Sequence, residues 1–294
     1  MTFTQGITYM HEHTTINLSG IKKTDDTNLD CFAETVLEFK KLYEKGVRNI
    51  VDVTVVGMQH NPEYVRKVSE LSGINIVQAT GFYTQRFFPD FVETDPIDSL
   101  ASFMVKEILR GIADTDVKAG IIGEIGTSKD GFTQSEKKVF EAAVIAHKET
   151  GVPITTHATL GMFGQEQVSF FKERSVDLAD VIIGHVDLSG DTAYILRLLD
   201  QGVYVGFDTI GKENYQPDNV RVNMLKAISQ EGLIDRVMLS MDITRRSSLE
   251  HMGGIGYSYL LDTFVPLMLE HGITEESINQ MLVVNPRRFF GVDI

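Results

Sequence analysis

His11-Glu12-His13 places two imidazoles two residues apart. In an extended strand residues i and i+2 face the same side, so both rings can reach one ion. Further along the chain, apolar runs end in single polar groups. Pro153–His157 ends in His157, Val181–His185 in His185 and Val237–Asp242 in Asp242, and Glu124 sits near the end of Ala119–Ile125. Four imidazoles and two carboxylates delivered in this way form a donor set for two divalent metal ions. Zinc suits it best, with manganese or cobalt as alternatives. Any one of these residues alone reads more simply as a satisfied surface or core side chain. Six polar groups at the same end of their apolar runs argue for a shared site.

The elements that must position them repeat along the chain. The apolar runs are Thr8–His13, Val47–Thr54, Ile74–Thr80, Ala119–Ile125, Pro153–His157, Val181–His185, Val203–Asp208 and Val237–Asp242. They are continuous rather than alternating, as parallel strands covered on both faces require. Helical patterns separate them at Asp30–Lys45, Pro62–Ser72, Gln134–Thr150, Leu188–Gln201, Asp218–Gln230 and Tyr257–Glu270. Most of these stop at a glycine (Gly46, Gly73, Gly151, Gly202), which supplies the left-handed residue that ends a helix. Eight strand–helix units predict an α/β fold, a single (β/α)8 TIM barrel spanning residues 1–294 as one domain. A doubly wound sheet would want a glycine-rich phosphate loop after the first strand, and Met10–Ile16 has none. On a barrel, the six polar groups fall on the carboxyl-end rim, where barrel enzymes place their sites.

Composition narrows the partners. The chain has 294 residues, 43% of them hydrophobic, and a net charge of −14, so its surface repels nucleic acid. The single cysteine, Cys31, excludes an internal disulfide and suits a reducing compartment. No basic leader and no long apolar run is present, so a cytoplasmic protein without a membrane span is expected. Its partner is a small-molecule substrate, with a homodimer left open.

The order of the polar groups resembles the amidohydrolase superfamily, and the stretches Met10-His-Glu-His, Lys118-Ala-Gly-Ile-Ile, Thr155-Thr-His, Ile183-Gly-His, Gly206-Phe-Asp, Leu239-Ser-Met-Asp and Asn285-Pro-Arg-Arg-Phe-Phe resemble its phosphotriesterase family over essentially the whole length. The resemblance implies that His11, His13 and Asp242 hold one metal and that His157 and His185 hold the other. Most members bridge the two ions with a carbamylated lysine on strand 4. Gly123-Glu124-Ile125-Gly126 has none, and the chain is similar to the phosphotriesterase homology branch, where a glutamate bridges directly. Glu124 falls one residue later than that lysine, and a one-residue slip reverses a strand's faces, so a bulge is expected to turn it inward. The activity implied is hydrolysis by water activated between two metals, with Asp242 accepting the proton.

Two departures bear on the substrate. Thr209, rather than a histidine, follows Asp208, and the chain contains no tryptophan. Both point away from phosphotriesters towards a lactone or carboxylic ester, with carbohydrate lactones and phosphorylated lactones favoured. Tyr83 matches the tyrosine that lactonase-like relatives aim at the metal centre. Arg245 and Arg246, beside Asp242 in a glycine-rich loop, are candidates to grip a carboxylate or phosphate on the substrate, the simpler alternative being an ion pair with Glu250 or another acid. His60 and His251 lie in loops and could touch substrate, whereas His147 and His271 fall on helical patterns and are expected to pack. Two other classes compete: a barrel isomerase or aldolase, disfavoured because no lysine ends a predicted strand at the rim, and a metal-binding homologue without turnover.

Overall fold

The computed structural model describes residues 3–292. Every apolar run forms a strand: β1 (Ile7–Glu12), β2 (Val47–Asp52), β3 (Asn75–Thr80), β4 (Ile121–Thr127), β5 (Ile154–Ala158), β6 (Val181–Gly184), β7 (Tyr204–Phe207) and β8 (Val237–Leu239). They pair in chain order, each parallel to the next, with helices between them. The chain is therefore a (β/α)8 barrel. All seven residues of β4 are buried, the pattern of a strand covered on one face by helices and on the other by the barrel interior. No helix among the described residues is long and apolar enough to cross a membrane.

The longer helices are α1 (Phe32–Glu44), α2 (Pro62–Ser72), α3 (Ile97–Leu109), α4 (Gln134–Thr150), α5 (Gly164–Glu173), α6 (Thr192–Leu199) and α7 (Asp218–Gln230), followed by short helical segments from Leu260 to Phe289. Local chemistry sets several ends. Asn61 caps α2 by accepting from the Tyr64 amide, with Pro62 in the first turn. Thr133 and Glu136 form a capping box on α4. Helix α6 starts later than its periodicity suggests, because Gly190 is left-handed and Asp191 then caps the Tyr194 amide. Tyr257–Glu270 is helical only from Leu260, through a π-helical turn that precedes Pro266. Gly111, at positive φ, follows the Arg110 cap of α3, whereas α5 lacks a glycine stop and Ser175 takes the left-handed place after it.

The barrel closes between β8 and β1 without a regular ladder among the described residues. Instead, the Asp242 amide donates to the His11 carbonyl at 3.3 Å. The His11 amide donates to Ser240 Oγ at 3.0 Å. The buried Glu12 carboxylate completes the joint, accepting from Ser240 Oγ at 2.8 Å, the Met241 amide at 2.7 Å and the Ile243 amide at 3.2 Å. Glu12 ends β1 between the candidate ligands His11 and His13, and its three donors bracket Asp242.

Candidate metal centre

Five of the six sequence-selected ligands are buried and His157 is nearly so, and all six converge inside the carboxyl-end rim. His11 lies in β1 and His13 one residue beyond it. Glu124 lies in β4 and His157 in β5, while His185 immediately follows β6 and Asp242 comes three residues after β8. His185 and Asp242 both adopt positive φ, at 59° and 51°, which bends the chain off the strand and turns each side chain over the barrel mouth.

Glu124 reaches the interior through an irregularity in β4. Ile122 pairs with Ile154 and Ile125 with Thr156, so three steps along β4 match two along β5, the count of a bulge. Gly123 supplies the bend at φ +112°, and the Gly123–Glu124 peptide is cis. A Cβ on Gly123 would lie 1.9 Å from the Thr155 carbonyl oxygen, so no other residue fits there.

Glu124 stands among all four imidazoles. Its Oε2 is 2.9 Å from His157 Nδ1, 3.4 Å from His11 Nε2 and 3.6 Å from His185 Nε2, while Oε1 is 3.5 Å from His13 Nε2. Asp242 Oδ1 lies 3.1 Å from His13 Nε2 and 3.9 Å from His11 Nε2. The donor atoms of His11, His13 and Asp242 fall within 4.8 Å of one another, as do those of His11, Glu124 and His185. The second group thus contains His11 where the resemblance implies His157, which instead hydrogen-bonds Glu124.

Two observations test whether a divalent ion suits these residues. Both ring nitrogens of His11 are buried without a hydrogen-bond partner. A buried imidazole left unsatisfied on both sides is costly unless something else takes its lone pair. Outer partners also fix two of the other rings: His13 Nδ1 meets Thr54 Oγ1 at 2.8 Å, and His185 Nδ1 meets Asp208 Oδ1 at 2.6 Å. Each leaves Nε2 facing inward, the arrangement by which second-layer groups orient metal-binding histidines. The residues fit the ion.

The electrostatics agree. Burial and the neighbouring His185 push His157 down to about 4, keeping it neutral. Burial opposes ionisation of Glu124, yet His11 and His157 hold its carboxyl well below the usual range. Burial likewise opposes ionisation of Asp242, and Lys212 overrides it.

A cavity of about 770 Å³ opens above these groups. Tyr83 lines it, its hydroxyl 3.2 Å from His157 Nε2. Arg245 also lines it, while pairing with Asp26 at 3.2 Å. Arg246 does not line the cavity; its exposed guanidinium turns towards Cys31, because the chain enters a 3-10 turn at Arg246–Ser248. Glu250, named above as an alternative partner for the two arginines, pairs with Lys41. His60 and His251 lie outside the cavity lining. His147 packs as expected, its Nδ1 2.9 Å from the Val152 carbonyl oxygen.

Sequence reasoning passed over three residues that the structure brings in. Lys212 contacts Asp242 Oδ2 and lines the cavity, and Lys22 lines the same wall without an ion-pair partner among the described residues. Asp208 holds His185 and lies 3.4 Å from His11 Nδ1. Asp208 follows the rule that singled out the ligands, a polar group ending an apolar run. Lys212 lies four residues beyond it in a loop with no periodic signal.

Known proteins share this fold. The phosphotriesterase homology protein of Escherichia coli is 46% identical over 97% of this chain and 98% of its own. A crystal structure of that protein, complexed with phosphate in its active site, superposes with a TM-score of 0.97, covering 98% of this chain and 100% of that one. A lactonase from Listeria monocytogenes matches at 28% identity with a TM-score of 0.93, covering 99% of this chain and 96% of that one. An N-acetyltaurine hydrolase from Xenopus tropicalis is 31% identical over 89% of this chain and 77% of its own. Residues 2–290 match the model of the Phosphotriesterase family, and the chain belongs to that family of metal-dependent hydrolases.

Proposed function

We propose that the protein is a binuclear metal-dependent hydrolase acting on a small anionic lactone or ester, with a carbohydrate lactone or phosphorylated lactone favoured over a phosphotriester. The observation that carries this reading is the single buried carboxylate of Glu124 within 3.6 Å of four imidazoles. His11, His13 and Asp242 would hold one ion, His157 and His185 the other, and Glu124 would serve both. Bound there, divalent ions would polarise the substrate's acyl or phosphoryl oxygen and make water acidic enough to attack near neutral pH. Asp242 keeps a carboxylate oxygen for the proton released by that water, while Lys212 holds its other oxygen and stabilises the anionic form.

Further features support the substrate class. Thr209 occupies the place of the family's relay histidine, and its hydroxyl is committed to Asp187 and Arg221 rather than to Asp242. Lys22, Lys212 and Arg245 give the cavity a cationic wall in an otherwise acidic protein, suited to a carboxylate, phosphate or sulfonate. Tyr83, beside His157, is placed to orient the scissile group. The same wall suits an anionic N-acyl amide, the second reading suggested by the N-acetyltaurine hydrolase relative.

A screen of lactones, sugar-lactone phosphates, aryl esters and N-acyl sulfonates with zinc- and manganese-loaded protein tests the reading. Turnover confined to charged lactones or esters supports it, and turnover of the amide alone transfers the site to the second reading. Metal content near one equivalent after full loading removes the binuclear model.

A further inference from the structure

Arg221, on α7, is fully buried, and its guanidinium serves the rim loops and the first residue of its own helix. Nε donates to Asp187 Oδ2 at 2.7 Å, Nη2 to Thr209 Oγ1 at 2.8 Å and Nη1 to Asp218 Oδ1 at 2.8 Å and to the Gln216 carbonyl. Thr209 in turn donates to the Asp187 oxygen that Arg221 holds, closing a triangle. Two of its corners adjoin the candidate centre in sequence. Asp187 lies two residues after His185, and Thr209 follows Asp208. Asp208 grips His185 twice, at Nδ1 (2.6 Å) and at the backbone amide (2.9 Å), and these contacts fix which imidazole nitrogen faces inward.

We propose that Arg221 is a positioning residue that ties the ends of β6 and β7 together, holding Asp208 on His185 so that Nε2 stays free for a metal ion. Its charge also balances Asp187, which would otherwise stand uncompensated in the same buried region as Asp208. Without the guanidinium the two loops part, the Asp208–His185 hydrogen bond loosens and the imidazole loses its fixed orientation. The metal part of this statement rests on the proposed role of His185 as a ligand, whereas the hydrogen-bond part does not.

Protein labelled with 15N-histidine, stripped with chelator, reports the His185 Nδ1 proton directly. In the parent it should appear downfield and protected from exchange, and in Arg221→Met it should broaden or vanish. Stepwise chelation should show one of two zinc equivalents held about tenfold or more weaker in Arg221→Met, with the other unchanged. Arg221→Lys, which keeps the charge, should recover part of both signals. A purely structural arginine would lower Tm and leave both readouts at parental values, and that result in a folded variant overturns the proposal. If Arg221→Met does not fold, Thr209→Val decides: it opens the triangle without removing charge, and a parental proton signal with parental zinc retention refutes the role. A parent that never reaches two equivalents refutes the binuclear reading instead, while the proton signal still tests Arg221.

Discussion

Glu124→Gln preserves shape and removes one charge and one acceptor. The carboxylate faces both ligand groups, with Oε2 towards His157, His11 and His185 and Oε1 towards His13. An amide can turn its oxygen to only one side and then presents an NH2 donor to the other. Each charge-assisted contact contributes about 1.5–3 kcal/mol, and about 1.4 kcal/mol is a decade in affinity. The ion facing the amide nitrogen should therefore bind at least ten- to a hundredfold more weakly. The other keeps an oxygen but loses the formal charge. Competition between apo-protein and a chromophoric chelator, with elemental analysis of the desalted product, should show one zinc equivalent lost under conditions where the parent keeps two. Reloading the parent should work equally well in bicarbonate-free buffer, since a glutamate needs no carbamate. Two equivalents held with parental affinity in Glu124→Gln would refute the bridging argument, and a bicarbonate requirement would point to a modified lysine.

Gly123→Ala places a methyl 1.9 Å from the Thr155 carbonyl oxygen at a φ of +112°, so it should lower Tm and release metal together, by calorimetry and metal analysis. Asp242→Asn should lower kcat about 10²-fold or more in steady-state assays, because the amide cannot accept the proton. For an anionic substrate, Arg245→Ala should reduce kcat/KM about ten- to a hundredfold and spare a neutral analogue. Arg246→Ala should behave as the parent on both, since its side chain lies outside the cavity, and equal treatment of charged and neutral substrates by Arg245→Ala would remove the anion-binding argument.

The barrel was legible because its signals are local. Each strand is a run of apolar residues long enough to stand apart from the helical periodicity, and Gly73 and Gly151 end their helices where the pattern places them. The convergence of the six candidate ligands was legible for a related reason, since they are polar groups at or near the ends of apolar runs. Other features depend on spatial neighbours that no window contains. Lys212 matters because loop geometry lays it on Asp242, 30 residues away. Arg246 adjoins Arg245 in sequence, yet a turn carries it out of the cavity. Arg221 reads as an ordinary helical residue, and only the packing of α7 against two loops buries it. Helix α5 lacks a glycine stop because Ser175 adopts the left-handed conformation itself.

The joint between β8 and β1 also bears on how the barrel breathes. Amides of Met241 and Ile243 hang on one side-chain carboxylate instead of a continuous ladder. Such a contact opens without unzipping neighbouring strands, so exchange of these two amides should report a local fluctuation rather than global unfolding. The same excursion separates Asp242 from His11 and His13, which sit on the other side of the joint. An ion shared by those three side chains would fasten it, because anything bound only to the closed form suppresses the opening by mass action. Protection of amides 241 and 243 would then rise with zinc concentration, which makes the seam a gauge of how much closed-state free energy the ion contributes.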